Sequence, residues 1–211
     1  MKIKEELELL VSYSRVYYSR MWMFATAGNL SVLDPESGVV WITASGRDKS
    51  KLASSDFLGV YAKTGEPIDP DSPLRPSAET SIHTNIYSLF PDSGAILHVH
   101  TPNSCILQFY LSKENPSKFI TLPNTEILKA FGNFLEEPEL KALVVHNHGY
   151  VPRISEEFKK VFHQKKSDVP FFLIENHGVT VWGKNVYEAN KHLEAAEFIL
   201  TVLVGRQSSI K

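Results

Sequence analysis

The chain has one cysteine, Cys105, among 211 residues. No internal disulfide can form, which fits a reducing compartment. An excess of charge of either sign is also missing: 22 Lys and Arg stand against 24 Asp and Glu, a formal net charge of −2. That balance gives no electrostatic reason to expect nucleic acid as a partner. No uninterrupted apolar run approaches the length of a membrane span. The start, "MKIKEELELL", carries charges within its apolar pattern, unlike a secretory signal. Internal repeats and low-complexity linkers are absent as well. These exclusions leave a cytoplasmic protein, with one domain expected over residues 1–211.

Strand and helix signals are interleaved. Ile3, Leu7, Leu10 and Val11 recur at helical spacing within 3–20. "LSVLD" and "VVWITA" flank a Pro–Gly turn and predict a hairpin. "FLGVYA" follows, then an irregular proline-rich loop at 69–76. "SAETSIHTNIYSLF" predicts a helix with Ser77 at its N-cap. "GAILHVH", "KFITL" and "KALVVHN" read as strands, and "VPFFLIEN" and "GVTVWG" as a pair about a turn. Helices are expected over 103–111, over "NTEILKAF" (capped by Asn124 or Thr125), over "RISEEFKKVFHQKK", and from Asn185 to about Val204. Several strand pairs are joined too tightly for parallel crossovers. The expected fold is a three-layer α/β/α unit with a central mixed, mostly antiparallel sheet.

Five of the eight histidines fall in three short segments: "LHVHT", "VVHNHGY" and "IENHGVTVWG". His98 and His100 share one strand face, with Cα atoms about 6.5 Å apart, within reach of one cation. Two histidines on a half-exposed strand would look the same. A catalytic zinc needs about three protein ligands. His146, His148 and His177 compete for the third place: His146-x-His148 repeats the strand spacing, while His177 precedes Gly178, which permits close backbone approach. Local chemistry leaves that choice open. His163 and His192 read as solvated helix residues. Cys105, among apolar neighbours, reads as buried and inert. The aromatic run "YSRVYYSRMW" reads as core and subunit contact.

Five stretches in order, "ATAGNLSV" (25–32), "ITASG" (42–46), "RPSAETSIHTNIY" (75–87), "AILHVH" (95–100) and "ENHGVTVWG" (175–183), resemble the class II aldolase/adducin family. Together they span about residues 10–203. "WMFATAGNLSV", "NTEILKAF" and the "GVTVWG" ending are similar to the family's dehydratase branch of methionine salvage. The resemblance implies a class II aldolase-like fold and a metal-dependent hydro-lyase acting on a methylthio-substituted ketopentose 1-phosphate. It implies one Zn2+ per subunit on His98, His100 and His177, and makes His146 and His148 departures from the pattern. It implies acid/base roles for Glu126 and Glu79, with Glu126 favoured to protonate the departing hydroxyl. His83, one helical turn after Glu79, is placed to orient it. Gly28, Asn29, Ser45, Gly46 and Ser77 match the family's phosphate positions, where backbone N–H groups make anion-binding nests. Lys49 lies beside that turn and could add charge for the phosphate, although a charge near a turn is usually solvated. A homotetramer with sites near subunit boundaries is also implied. Two other family roles compete. A sugar-phosphate aldolase or epimerase would share this chemistry, but that aldolase branch uses a tyrosine in its tail and "GRQSSIK" has none. An adducin-like interaction domain would lack the histidines.

Overall fold

The computed structural model describes residues 3–165 and 167–209. Helix α1 (Ile3–Ser19) buries Leu7, Leu10, Ser14 and Tyr17, the three- and four-residue spacing of one helical face. Strands β1 (Asn29–Leu33) and β2 (Val39–Thr43) form the expected hairpin. Asp34 closes it: its carbonyl accepts from the Gly38 N–H and its carboxylate from Ser37 Oγ, with Gly38 at φ 71°. A 3-10 turn (Ser54–Asp56) leads into β3 (Phe57–Tyr61). Helix α2 (Thr80–Leu89), strand β4 (Ala95–Val99), the short helix α3 (Pro102–Ile106) and β5 (Ser117–Thr121) follow. A 3-10 helix (Glu126–Phe131) precedes β6 (Lys141–Val145), α4 (Val151–Gln164), β7 (Phe171–Ile174), β8 (Gly178–Gly183) and α5 (Val186–Ser208).

The eight strands form one sheet in the order β3-β2-β1-β4-β8-β7-β6-β5. Every neighbouring pair is antiparallel except β6 and β7, which α4 joins as a crossover. Side chains alternate between two cores. Leu97, Val144, Leu173 and Val181 face α1 and α5. Ile96, Val145, Phe172 and Trp182 face α2 and α4. The result is the expected three-layer α/β/α arrangement around a mixed, mostly antiparallel sheet.

Several boundaries differ from the sequence expectation, each for a local reason. Helix α2 starts at Thr80 rather than after Ser77, because a tight turn comes first: the Thr80 N–H and hydroxyl both donate to the Ser77 carbonyl. Helix α3 stops at Ile106 instead of running to 111. The buried Glu175 carboxylate takes the N–H groups of Phe109 and Leu111 at 2.7 and 3.0 Å, which pulls the chain out of helical geometry. "NTEILKAF" forms a 3-10 helix, and Thr125 makes no side-chain cap there. Helix α4 begins at Val151, earlier than expected, with Pro152 in its first turn. Lys166, at the end of that expected helix, lies outside the described residues, as do Ile210 and Lys211. Helix α5 is capped by Asn185, whose side chain accepts from the Glu188 N–H, and it runs on to Ser208.

Candidate metal centre

The two-residue period of the strands builds the site. Asn29, His98 and Thr180 lie side by side on β1, β4 and β8, in register across the sheet. Ser31 and His100 share their parity, so a polar strip runs along the sheet face that α2 covers. Glu79, His83 and Tyr87, at four-residue intervals on or just before α2, face that strip and are buried. His177 comes in from the turn between β7 and β8. Glu79, His98, His100 and His177 offer ligand atoms that all lie within 4.8 Å of one another. No other such group of three or more occurs among the described residues.

The ring nitrogens show how the site is held. The Nε2 atoms of His98 and His177 lie 3.4 and 3.0 Å from Glu79 Oε1, and His100 Nε2 lies 2.9 Å from His98 Nε2. The opposite nitrogens are anchored: His98 Nδ1 to Thr180 Oγ1 at 2.8 Å, and His177 Nδ1 to Asn147 Oδ1 at 3.2 Å. An Nδ1–H donated to each oxygen leaves the Nε2 lone pairs turned inward. Burial pushes His98 down to about 4. Burial, with the neighbouring imidazoles, pushes His100 to about 3. Both rings are therefore neutral at pH 7. Burial works against ionisation of Glu79, but His98, His177 and Asn29 outweigh it and hold the carboxyl well below the usual range. Three inward-facing imidazole nitrogens and one carboxylate oxygen fit a divalent cation.

A second layer holds Glu79. Its Oε2 accepts from Asn29 Nδ2. The Asn29 amide oxygen accepts from His83 Nε2, whose Nδ1 accepts from Ser31 Oγ at 2.7 Å, which lies 2.9 Å from Tyr87 OH. Every link has a consistent donor, with His83 neutral and burial holding it at about 4. His83 thus positions Glu79 through Asn29, not by direct contact. Asn29 thus gives its amide oxygen and one of its two amide hydrogens to this network, while also bordering the pocket beside the centre.

The two Asn-His-Gly segments follow the ends of β6 and β7. These strands are parallel neighbours, with Val145 level with Ile174 and the Glu175 N–H donating to the Val145 carbonyl. His148 and His177 therefore stand at equal distances past paired residues. The turn chemistry separates them. Asn176 takes a left-handed φ of 54°, which Asn tolerates. A Cβ on Gly178 would lie 2.5 Å from the Val99 carbonyl and 2.9 Å from His98 Cε1, so only glycine lets the turn approach β4. The first segment reaches the centre through Asn147, whereas His146 and His148 meet each other edge-to-face with ring centroids 4.8 Å apart.

A pocket of about 310 Å³ adjoins the centre, bordered by Gly28, Ser45, Gly46, Ser77, Glu79 and His100. The chain entering it is strained: Ala25 and Thr26 have φ of 50° and 66°, and a β-branched residue there costs on the order of 1–3 kcal/mol. Lys49, expected to be solvated, is 1% exposed, and its ammonium donates to the Thr26 and Arg47 carbonyls at 2.8 and 3.0 Å. No local pattern marks a lysine whose acceptors come from a distant turn. Glu126 lies outside the four-residue group: its side chain is 84% exposed and pairs with Lys129 at 2.6 Å. It borders an apolar cleft formed with Ile127, Phe198 and Val202. Cys105 is exposed rather than buried, because α3 ends one residue later and turns its Sγ toward the His177 carbonyl. His192 is buried rather than solvated, with Nδ1 on the Trp182 carbonyl at 2.7 Å. Tyr17 stacks between Tyr13 and Trp22 in the core.

A layered α/β unit that gathers three histidines and a glutamate beside a glycine- and serine-lined pocket defines a class of proteins with a site able to bind a metal ion. Residues 8–204 match the model of the Class II Aldolase and Adducin N-terminal domain, and the chain belongs to that family. It is 48% identical over 208 residues to a methylthioribulose-1-phosphate dehydratase from Leptospira biflexa, covering 98% of this chain and 100% of that one. A protein of the same name from Bacillus pumilus is 39% identical over 194 residues, covering 91% and 88%. Among solved structures, an L-fuculose 1-phosphate aldolase shares the fold at a TM-score of 0.77 and 21% identity, covering 100% of this chain and 90% of that one. An L-fuculose-1-phosphate aldolase from Thermus thermophilus does so at 0.71 and 19%, covering 97% of each.

Proposed function

We propose that the chain is a methylthioribulose-1-phosphate dehydratase, a hydro-lyase of methionine salvage. The observation that carries this reading is the 48% identity to a protein of that name over nearly the full length of both chains. The reaction would remove the proton at C3 and the hydroxyl at C4 as water. The resulting enol would rearrange to 2,3-diketo-5-methylthiopentyl 1-phosphate.

His98, His100 and His177 would hold one Zn2+, with the Glu79 carboxylate beside it. When bound, the ion supplies Lewis acidity to substrate oxygens beside it. Glu79, whose carboxylate faces the site, would accept the C3 proton. The C4 hydroxyl needs a proton to leave, and Glu126 is the assigned donor. Glu126 stands outside the cluster of its own chain, exposed beside an uncovered apolar cleft. We therefore assign it to the site of an adjacent subunit in a homo-oligomer, a tetramer on the family pattern. Gly28, Asn29, Ser45, Gly46 and Ser77 border the pocket that would take the phosphate. The protein would work in the cytoplasm; among the described residues no helix is long and apolar enough to cross a membrane.

The test is direct detection of the diketone from methylthioribulose 1-phosphate, with L-fuculose 1-phosphate as the competing substrate. Formation of the diketone by the wild-type protein, lost in Glu126→Gln with metal content retained, is expected. Turnover of L-fuculose 1-phosphate alone would overturn the reading in favour of an aldolase. For the subunit assignment, a mixture of inactive Glu79→Gln and Glu126→Gln chains should regain activity on co-assembly. Absence of recovery from verified mixed oligomers would place both groups in one chain.

A further inference from the structure

The pocket beside the metal centre has an electrostatic feature that its matched phosphate positions do not account for. Gly28, Ser45, Gly46 and Ser77 are neutral donors. Of the Asp, Glu, Lys and Arg side chains, Glu79 is the one carboxylate and Lys49 the one ammonium that border the pocket. A Zn2+ on the three histidines would offset Glu79 at the metal end of the pocket, but nothing in that pairing neutralises a phosphate dianion seated among the neutral donors. Lys49 adds one buried positive charge beside those donors, and burial strengthens its effect because little water screens it.

Lys49 is unusual in where its charge goes. Its nitrogen is buried, yet no carboxylate pairs with it; two backbone carbonyls, those of Thr26 and Arg47, take two of its three hydrogens. Among the described residues these are its acceptors. A buried ammonium without an anion is costly. An anionic substrate group in the pocket supplies the missing partner. The bond to Thr26 also explains how a β-branched residue is held at φ 66°, two residues before Gly28.

Resting on the sugar-phosphate reading of this pocket, we propose that Lys49 is the charged anchor for the phosphomonoester. It pins the left-handed turn at Ala25–Thr26 through one hydrogen bond and presents its third N–H to the phosphate seated against Ser45, Gly46 and Ser77.

The test uses the metal-loaded, full-length protein. Inorganic phosphate is titrated by calorimetry, and steady-state constants are measured for methylthioribulose 1-phosphate. Loss of a charge-assisted hydrogen bond predicts that Lys49→Met weakens phosphate binding about 10- to 100-fold and raises KM with little change in kcat. Competition by the dephosphorylated sugar should be unaffected, and Lys49→Arg should recover part of the phosphate affinity. A purely structural role predicts a different pattern: phosphate and the dephosphorylated sugar weaken together, and kcat falls as the turn carrying Asn29 loosens. That pattern, or phosphate binding by Lys49→Met within twofold of wild type, overturns the proposal. If Lys49→Met does not fold, the lysine 13Cε spectrum of the wild-type protein decides: a saturable shift of the Lys49 signal with phosphate supports the anchor, and an unmoved signal refutes it. Wild-type protein that shows the phosphate effect but does not convert methylthioribulose 1-phosphate would leave Lys49 as an anion anchor while removing the dehydratase reading.

Discussion

Removing the hydroxyl that orients His98 tests whether the anchoring of the outer ring nitrogens governs metal affinity. Thr180→Val keeps the size and β-branching of a residue in the middle of β8, so the sheet should be undisturbed. The lost bond is 2.8 Å long and completely buried. His98 Nδ1–H would be left without a partner and without water. An unsatisfied buried donor costs about 1–3 kcal/mol, or about 10- to 100-fold in affinity. Changes to groups that orient metal-bound histidines fall in the same range. Asn147 offers the internal comparison, because its bond to His177 is longer, at 3.2 Å, and exposed. Water can replace it, so Asn147→Ala should cost less than about tenfold by the same reasoning. The assay is competition for zinc against a chelator of known affinity, repeated with cobalt so that the ligand-field spectrum reports geometry. His177→Ala should abolish tight binding and His148→Ala should leave it unchanged. A larger loss from Asn147→Ala than from Thr180→Val would refute this account of the site, as would a Thr180→Val protein indistinguishable from wild type.

Two further outcomes follow from the packing. Gly178→Ala puts a methyl group 2.5 Å from the Val99 carbonyl and against both rings of the β4 pair. It should lower stability by about 1–3 kcal/mol and loosen zinc binding, read by urea unfolding and chelator competition; a neutral effect on both would mean that β8 yields freely. For pH, burial lowers His83 from 6.5 to about 4. Below pH 6.5 the unfolded chain takes a proton that the folded chain refuses until about pH 4. Stability from this group is therefore complete above pH 6.5 and lost as pH falls through that window, a gap worth on the order of 3 kcal/mol. Urea midpoints of the metal-free protein between pH 7.5 and 4.5 measure it, and a slope unchanged in His83→Gln would contradict it.

Patterns with a strict period were legible in the sequence: the β1–β2 hairpin, the paired faces of His98 and His100, and the layer order implied by interleaved helices and strands. Features that depend on contacts between distant segments were not. Glu175 shortens α3 by capturing N–H groups more than sixty positions away, and no helix signal in 103–111 anticipates that. Lys49 looks like any loop lysine until the Thr26 carbonyl comes to meet it. The motif that marks Asn29 for phosphate does not show that its side chain also links Glu79 to His83, residues whose approach depends on how α2 docks. The choice between the two Asn-His-Gly segments was open for a related reason: equal positions past two parallel strands carry the same local chemistry. The discriminating clearance at Gly178 exists only once β8 lies against β4.

That in-register pairing has a practical side. The rings of His146 and His148 are 4.8 Å apart, against 4.9 Å for His98 and His100. Just past the end of β6, beside the β7–β8 turn that carries His177, the protein therefore holds a second close pair of imidazoles. In titrations with excess zinc or nickel, occupancy beyond one ion per chain should be looked for at this pair before any second catalytic ion is invoked. For design, the same pair is a foothold: a binuclear version of the fold would start with two of its added ligands already in place.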